Sequence, residues 1–207
     1  MNNVEVYSAG LLNKALDPAT QPVAIRSFLR AETALLRELM PRGSRVVDFG
    51  CGMGRHLMGF ADHIALGVGF DYEAASIAAA VKLAGAAHLY FFVADATAVP
   101  LTAAFDVAVC TTNTWGTMSD KSAVFDEMRR LSPRTGSRLM TVYAASSVPA
   151  RSEWYANLGH QVLQATDQQI VAAGGFTSEH FTEERLRELL GPCELHPIGD
   201  IAYVAQC

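Results

Sequence analysis

The sequence predicts an α/β protein built on parallel strands. Three observations carry that expectation. Short apolar runs (Val46, Val47 and Phe49; Ala65 to Phe70; His88 to Ala94; Phe105 to Cys110) alternate with stretches of helical character, the pattern of strands buried on both faces. The first run ends at once in Gly50, Gly52 and Gly54, and a helix follows from Leu57, so a tight turn joins a strand end to a helix start. Three of the runs end in an acid, Asp48, Asp71 and Asp95. Asp71 follows Gly50 at the interval expected when the next parallel strand returns beside the first.

The stretch Arg45 to His56 organises the chain. A glycine turn feeding a helix N-terminus offers backbone N–H groups and the positive end of a helix dipole, a site for a polar or anionic part of a cofactor. Spacing narrows the choice. A dinucleotide fold expects G-x-G-x-x-G, whereas here the third glycine comes one residue early, as Gly50-Cys51-Gly52-Met53-Gly54. That spacing argues against a nicotinamide oxidoreductase.

The chain has 207 residues, half of them hydrophobic and 18% charged, with a net charge of −5. Length and composition fit one globular domain over residues 1–207. The 16 Lys and Arg residues form no basic run, so the footprint of a nucleic-acid binder is missing. No stretch reaches the roughly 18 unbroken apolar residues of a membrane span. The first residues lack a basic segment followed by an apolar core, so no secretory signal is expected. Cys51, Cys110, Cys193 and Cys207 are widely spaced; neither a zinc framework nor a disulfide scaffold is expected, and a cytoplasmic setting follows.

In chain order, residues 1–43 should form an N-terminal helical cap, with a helix from Thr20 as N-cap to about Met40, carrying an apolar stripe of Phe28, Leu29, Leu35, Leu36 and Leu39. Tyr7 and Arg30 lie on this cap. After the glycine turn come the Asp71 strand, an alanine-rich helix over 74–84, the Asp95 strand, and a fourth strand running into Thr111-Thr112-Asn113-Thr114-Trp115. Ser119-Asp120 should cap a helix from Lys121 to Leu131, with a fifth strand over 138–143. Residues 145–181 form an excursion longer than a plain crossover needs: a helix near Pro149 to Leu158, then a hairpin turning at Asp167-Gln168, before a last helix from Thr182. Two short strands joined through Gly199-Asp200 should close the chain.

Asp48 to Gly54, Asp71, Asp95-Ala96 and Phe105-Asp106-Val107 occur in an order and spacing that resembles the class I S-adenosylmethionine-dependent methyltransferases over about residues 44–145. The run from Gly175 to Glu184 is similar to the C-terminal part of small-molecule members. The resemblance implies a doubly wound, mostly parallel sheet of seven strands with an antiparallel C-terminal hairpin, and S-adenosyl-L-methionine as cofactor, leaving as S-adenosyl-L-homocysteine. It further implies that Gly50, Cys51 and Gly52 lie against the methionine part, Asp71 at the ribose, and Asp95 with Ala96 at the adenine. Asp48, Arg55, Tyr72 and Thr111 complete the expected cofactor set. Where nucleic-acid amino methyltransferases often carry Asn/Asp-Pro-Pro-aromatic, this chain has Asn113-Thr114-Trp115-Gly116, which points away from base methylation.

Methyl transfer from a sulfonium is a direct displacement, and a base is needed only where the acceptor carries a proton. The expected acceptor is an amine or hydroxyl of a small molecule, with 145–181 lying over its site. Asn113 and Trp115 are candidate acceptor contacts; Asn113, His180 and Tyr7 are candidate catalytic groups, with His180 the candidate base. His56 reads as structural. The chain is expected to act as a monomer or homodimer. Two other readings stand beside this one: a regulatory protein that binds the cofactor without turnover, and a methyltransferase acting on protein or RNA.

Overall fold

The computed structural model describes residues 14–133 and 136–207; Tyr7 lies outside them. The chain runs α1 (Val23–Leu39), β1 (Arg45–Phe49), α2 (Arg55–Gly59), β2 (Leu66–Asp71), α3 (Ala74–Leu83), β3 (Leu89–Val93), β4 (Val107–Cys110), α4 (Lys121–Leu131), β5 (Ser137–Tyr143) and α5 (Val148–Leu158). It continues through β6 (Val162–Ala165), β7 (Gln169–Ala172), β8 (Phe176–Glu179), α6 (Glu183–Leu190), β9 (Glu194–Ile198) and β10 (Ala202–Gln206).

Seven strands form one sheet in the order β3-β2-β1-β4-β5-β10-β9. The pairs β1–β2, β2–β3, β1–β4 and β4–β5 are parallel, and β10 runs antiparallel to both neighbours. This is the expected class I methyltransferase fold. Alternation along the strands splits the core in two. Val46, Val107, Val109 and Leu139 pack against α1 and α5, while Val47, Ala108, Cys110 and Met140 pack against α4 and α6. The strand order reverses between β1 and β4, where an open α/β sheet places its ligand crevice.

Local chemistry sets the element ends. Asp120 accepts the Ala123 N–H and caps α4, Thr182 accepts the Arg185 N–H and caps α6, and Glu73 caps α3 through the N–H groups of Ala75 and Ser76. Because Glu73 caps α3, the Asp71 carboxylate is left at the strand tip. Helix α1 departs from expectation: it starts at Val23, and the Thr20 hydroxyl instead donates to the carbonyls of Lys14 and Asp17.

Two further findings correct the sequence reading. The excursion contains a third strand, β8, paired to β7, so the expected hairpin is part of a small three-stranded sheet. Phe176 and Ser178 point into the protein and Thr177 and Glu179 outward, a period-two pattern obscured by its polar residues. Cys193 and Cys207 form a disulfide across the closing hairpin. They are distant in sequence, and the β9–β10 pairing brings them together.

Candidate active site

Glycine geometry shapes the mouth of the crevice. Gly50, Gly52 and Gly54 all have positive φ, at 70°, 53° and 79°, a region that L side chains reach only at a cost. A Cβ on Gly50 would run into Thr114 Cγ2, and one on Gly54 would sit 2.7 Å from the Phe91 ring. Asp71 braces the turn: Oδ2 accepts the Gly52 N–H at 2.9 Å and Oδ1 accepts the Glu73 N–H at 3.0 Å. Burial raises the pKa of this carboxyl, against the pull of those two N–H bonds.

A cavity of about 980 Å³ opens over the strand tips, at the upper end of the range for small-molecule sites. At one end it is lined by Gly50, Cys51, Gly52, Asp71, Tyr72, Asp95 and Ala96; Arg55, His56, Thr111, Thr112 and Asn113 line its middle. At the other end stand Tyr143, Trp154, Tyr155, His160 and Phe176. Ten of the expected site residues therefore share one cavity: Gly50, Cys51, Gly52, Arg55, Asp71, Tyr72, Asp95, Ala96, Thr111 and Asn113.

The polar groups at the first end fit a nucleoside-bearing cofactor. Asp95 Oδ1 accepts both the N–H and the hydroxyl of Thr97, at 2.8 and 2.7 Å, while Oδ2 and the Ala96 N–H have no partner among the described residues. An acceptor and a donor thus stand side by side. Asp48 lies deeper, 1% exposed, and neither carboxylate oxygen finds a hydrogen-bond partner among the described residues. Burial pushes its pKa to about 7, the nearby Arg55 charge working against this and the Asp71 and Glu32 charges adding to it. An orphaned buried carboxyl behind the turn suits a cofactor that carries positive charge.

Several expected roles are corrected by geometry. The Trp115 ring is buried, stacks on Phe181 and donates Nε1–H to the Lys121 carbonyl. It does not line the cavity. His180 also lies outside the cavity lining. Its Nδ1 is 3.3 Å from Arg151 Nη1, an obligate donor, so Nδ1 accepts and the proton sits on Nε2. Burial, then Arg151, lowers its pKa; with its lone pair engaged, this imidazole is not placed to act as a base on a ligand. Asn113 does face the cavity, but its amide is engaged at both ends. Nδ2 donates to Ser178 Oγ and to the Glu179 carbonyl, each at 3.0 Å, and Oδ1 accepts the Tyr143 N–H at 3.0 Å. Tyr7 is outside the described residues.

Other residues enter the site unannounced by the motifs. Glu32 of α1 is 0% exposed. Its carboxylate accepts the Thr112 N–H at 2.6 Å and pairs with Arg55 Nη2 at 2.9 Å, while His56 Nε2 lies 3.3 Å away. Burial alone would raise its pKa, but the His56 and Arg55 charges and their hydrogen bonds hold it at about 2. Thr112 and Asn113 both have positive φ, 52° and 60°, and Glu32 and the Asn113 amide pin them there. The signal was present: Glu32 interrupts the buried stripe Ile25, Phe28, Leu29, Leu36 of α1, and a charge on an apolar face needs a partner. Arg151 occupies the same position in the buried face of α5, with Trp154, Tyr155 and Leu158.

Comparison with known proteins agrees with this geometry. Residues 46–136 match the family model described as "Methyltransferase domain". No curated protein matches the chain in sequence. Among solved structures, the PH0226 protein of Pyrococcus horikoshii shares the fold with a TM-score of 0.71 at 18% identity, over 90% of this chain and 92% of that one. A TehB-like SAM-dependent methyltransferase of Corynebacterium glutamicum aligns with a TM-score of 0.57 at 16% identity, over 85% of each chain. A Haloferax volcanii protein solved in complex with the Trm112 methyltransferase activator aligns with a TM-score of 0.59 at 18% identity, over 97% of this chain and 98% of that one. The matched core is a methyltransferase domain of the class I fold. The protein is accordingly an enzyme, and its cofactor is S-adenosyl-L-methionine.

Proposed function

We propose that the protein transfers the methyl group of S-adenosyl-L-methionine to an amine or hydroxyl of a small molecule by direct displacement. The observation that carries this reading is the continuity of the cavity, from the Asp71 and Asp95 rim to the aromatic wall of the 145–181 excursion. On this reading Asp71 with Tyr72 holds the ribose, Asp95 with Ala96 the adenine, and Gly50, Cys51 and Gly52 lie against the methionine part. Asp48, Arg55 and Thr111 close that end. Residues 1–43 serve as a cap, 145–181 cover the acceptor, and the whole chain is one domain. A cytoplasmic setting belongs to the same reading.

The protein's contribution is positional. The bound sulfonium supplies an activated methyl group, and fixing the acceptor against it is worth about 7–11 kcal/mol of barrier. A walled cavity also keeps water out. A second reading, methylation of a protein or RNA, draws on the likeness to the Haloferax protein solved with an activator subunit; the depth and aromatic lining of the cavity favour the small molecule. The test is transfer of labelled methyl from S-adenosyl-L-methionine into a low-molecular-weight metabolite fraction. Label in that fraction supports the proposal. Cofactor binding with label in no product supports a binding protein, and label only in macromolecules supports the second reading.

A further inference from the structure

Behind the acceptor end of the cavity, outside its lining, lies a charge with no ion-pair partner among the described residues. Arg151 is 0% exposed, and every polar contact of its guanidinium is neutral. Nη2 donates to the Ser178 carbonyl at 2.9 Å and to Ser178 Oγ at 2.5 Å, and Nη1 reaches Ser147 Oγ at 3.4 Å and His180 Nδ1 at 3.3 Å. The guanidinium lies 4.5 Å from the centre of the Tyr143 ring and 5.7 Å from that of Tyr155. No carboxylate pairs with it among the described residues. A buried cation with neutral partners keeps its field, since no water screens it.

Hydrogen-bond counting adds two donors to this pole. Ser178 Oγ receives Arg151 Nη2 and Asn113 Nδ2. Both are obligate donors, so the two lone pairs of the hydroxyl are filled. Its hydrogen must then go to Tyr155 Oη, 3.1 Å away, which leaves the Tyr155 phenolic hydrogen for something else. Tyr143 Oη has no partner among the described residues. Burial and the neighbouring Tyr155 push its pKa upward, so it remains a donor at neutral pH. Both tyrosines line the cavity, beside Trp154, His160 and Phe176.

We propose that the acceptor molecule is an aromatic compound bearing an anionic oxygen, a carboxylate or a phenolate, which takes the Tyr143 and Tyr155 hydroxyl hydrogens with Arg151 behind them. The aromatic wall receives the ring and the donor pole receives the anion. An acceptor with an ammonium at the same place meets the Arg151 charge, and the Glu32 carboxylate, whose charge also reaches Tyr143, is already paired with Arg55. This inference rests on the methyl-transfer reading of the same cavity.

The experiment titrates the full chain, saturated with S-adenosyl-L-homocysteine, with benzoate, 4-nitrophenolate, benzyl alcohol and benzylammonium. Benzoate or 4-nitrophenolate is expected to bind at least tenfold more tightly than benzylammonium, and whichever of the two binds more tightly identifies the anionic group. The preference should fall at least fivefold in the Tyr143→Phe/Tyr155→Phe double variant, which keeps both rings, and further in Arg151→Met. S-adenosyl-L-homocysteine affinity should be unchanged in the double variant, which also reports that it is folded. Equal or tighter binding of benzylammonium, no binding of either anion, or a preference retained in the double variant overturns the inference. Failure of S-adenosyl-L-homocysteine itself to bind would instead count against the methyl-transfer reading.

Discussion

The Thr112 backbone N–H donates to Glu32 Oε1 at 2.6 Å, fastening helix α1 to the tip of strand β4. Thr112 and Asn113 stand in the left-handed region there, where each non-glycine residue costs roughly 1–2 kcal/mol. Such a loop persists only if its surroundings over-determine it. Glu32 does so from one side, and the Asn113 amide from the other.

Replacing Glu32 by Ala leaves Arg55 without its acid and the Thr112 N–H without an acceptor. The expected loss is about 3–5 kcal/mol, the scale for removing one partner of a buried pair, read by urea denaturation. Glu32→Gln keeps an acceptor and should lose less. The Glu32 pKa is depressed in the fold to about 2, so its contribution is full above the unfolded value and fades as pH falls from about 4.5 toward 2. A Glu32→Ala cost that is the same at pH 2 and pH 7 would contradict this assignment.

Asp48 has the opposite sign. Its folded pKa is raised from 3.8 to about 7, so the folded state binds the proton more tightly than the unfolded one. Stability of the ligand-free protein should therefore fall as pH rises from about 4 through 7, then level off. Asp48→Asn removes that slope. The variant should gain about 4 kcal/mol over the unaltered chain at pH 8 and less than about 1 kcal/mol at pH 4; parallel stability curves would show that Asp48 is ionised in both states.

Gly50→Ala forces a side chain into positive φ and against Thr114. Backbone strain alone is about 1–2 kcal/mol, and cofactor affinity should drop at least tenfold as the turn shifts. Gly85→Ala is the control, since nothing lies within 4 Å of its added Cβ. Equal behaviour of the two variants would remove the turn from the site.

Asn113→Ala strands the Tyr143 N–H and the Glu179 carbonyl in the interior, both now bonded to its amide. The expected cost is about 3 kcal/mol, or a fall in Tm of about 6–12 °C for a chain of this size. An unchanged Tm would return Asn113 to a role toward ligand alone.

Much of this was legible because backbone demands leave marks on sequence. Gly50, Gly52 and Gly54 announced a turn that only glycine enters cheaply, and the acids at 48, 71 and 95 marked strand tips. The alternation of short apolar runs with helical stretches marks buried parallel strands. Pairing across distant segments was not readable. Nothing local says that Glu32 meets Thr112 or that Arg151 meets Ser178, because those contacts follow from how helices and strands dock; the disulfide between Cys193 and Cys207, by contrast, lies across the closing hairpin the sequence predicts. Trp115 and His180 show the same limit: residue type suggested ligand contact, whereas burial and hydrogen-bond direction assign them to the protein's own interior.

Calorimetric titration of the chain with S-adenosyl-L-homocysteine, beside Asp71→Ala, tests the cofactor site most directly. One molecule should bind per chain, with affinity at least tenfold weaker in the variant, about 1.4 kcal/mol for one lost charge-assisted contact. Equal affinity in a folded Asp71→Ala, or tight binding of NAD in place of S-adenosyl-L-homocysteine, would contradict it.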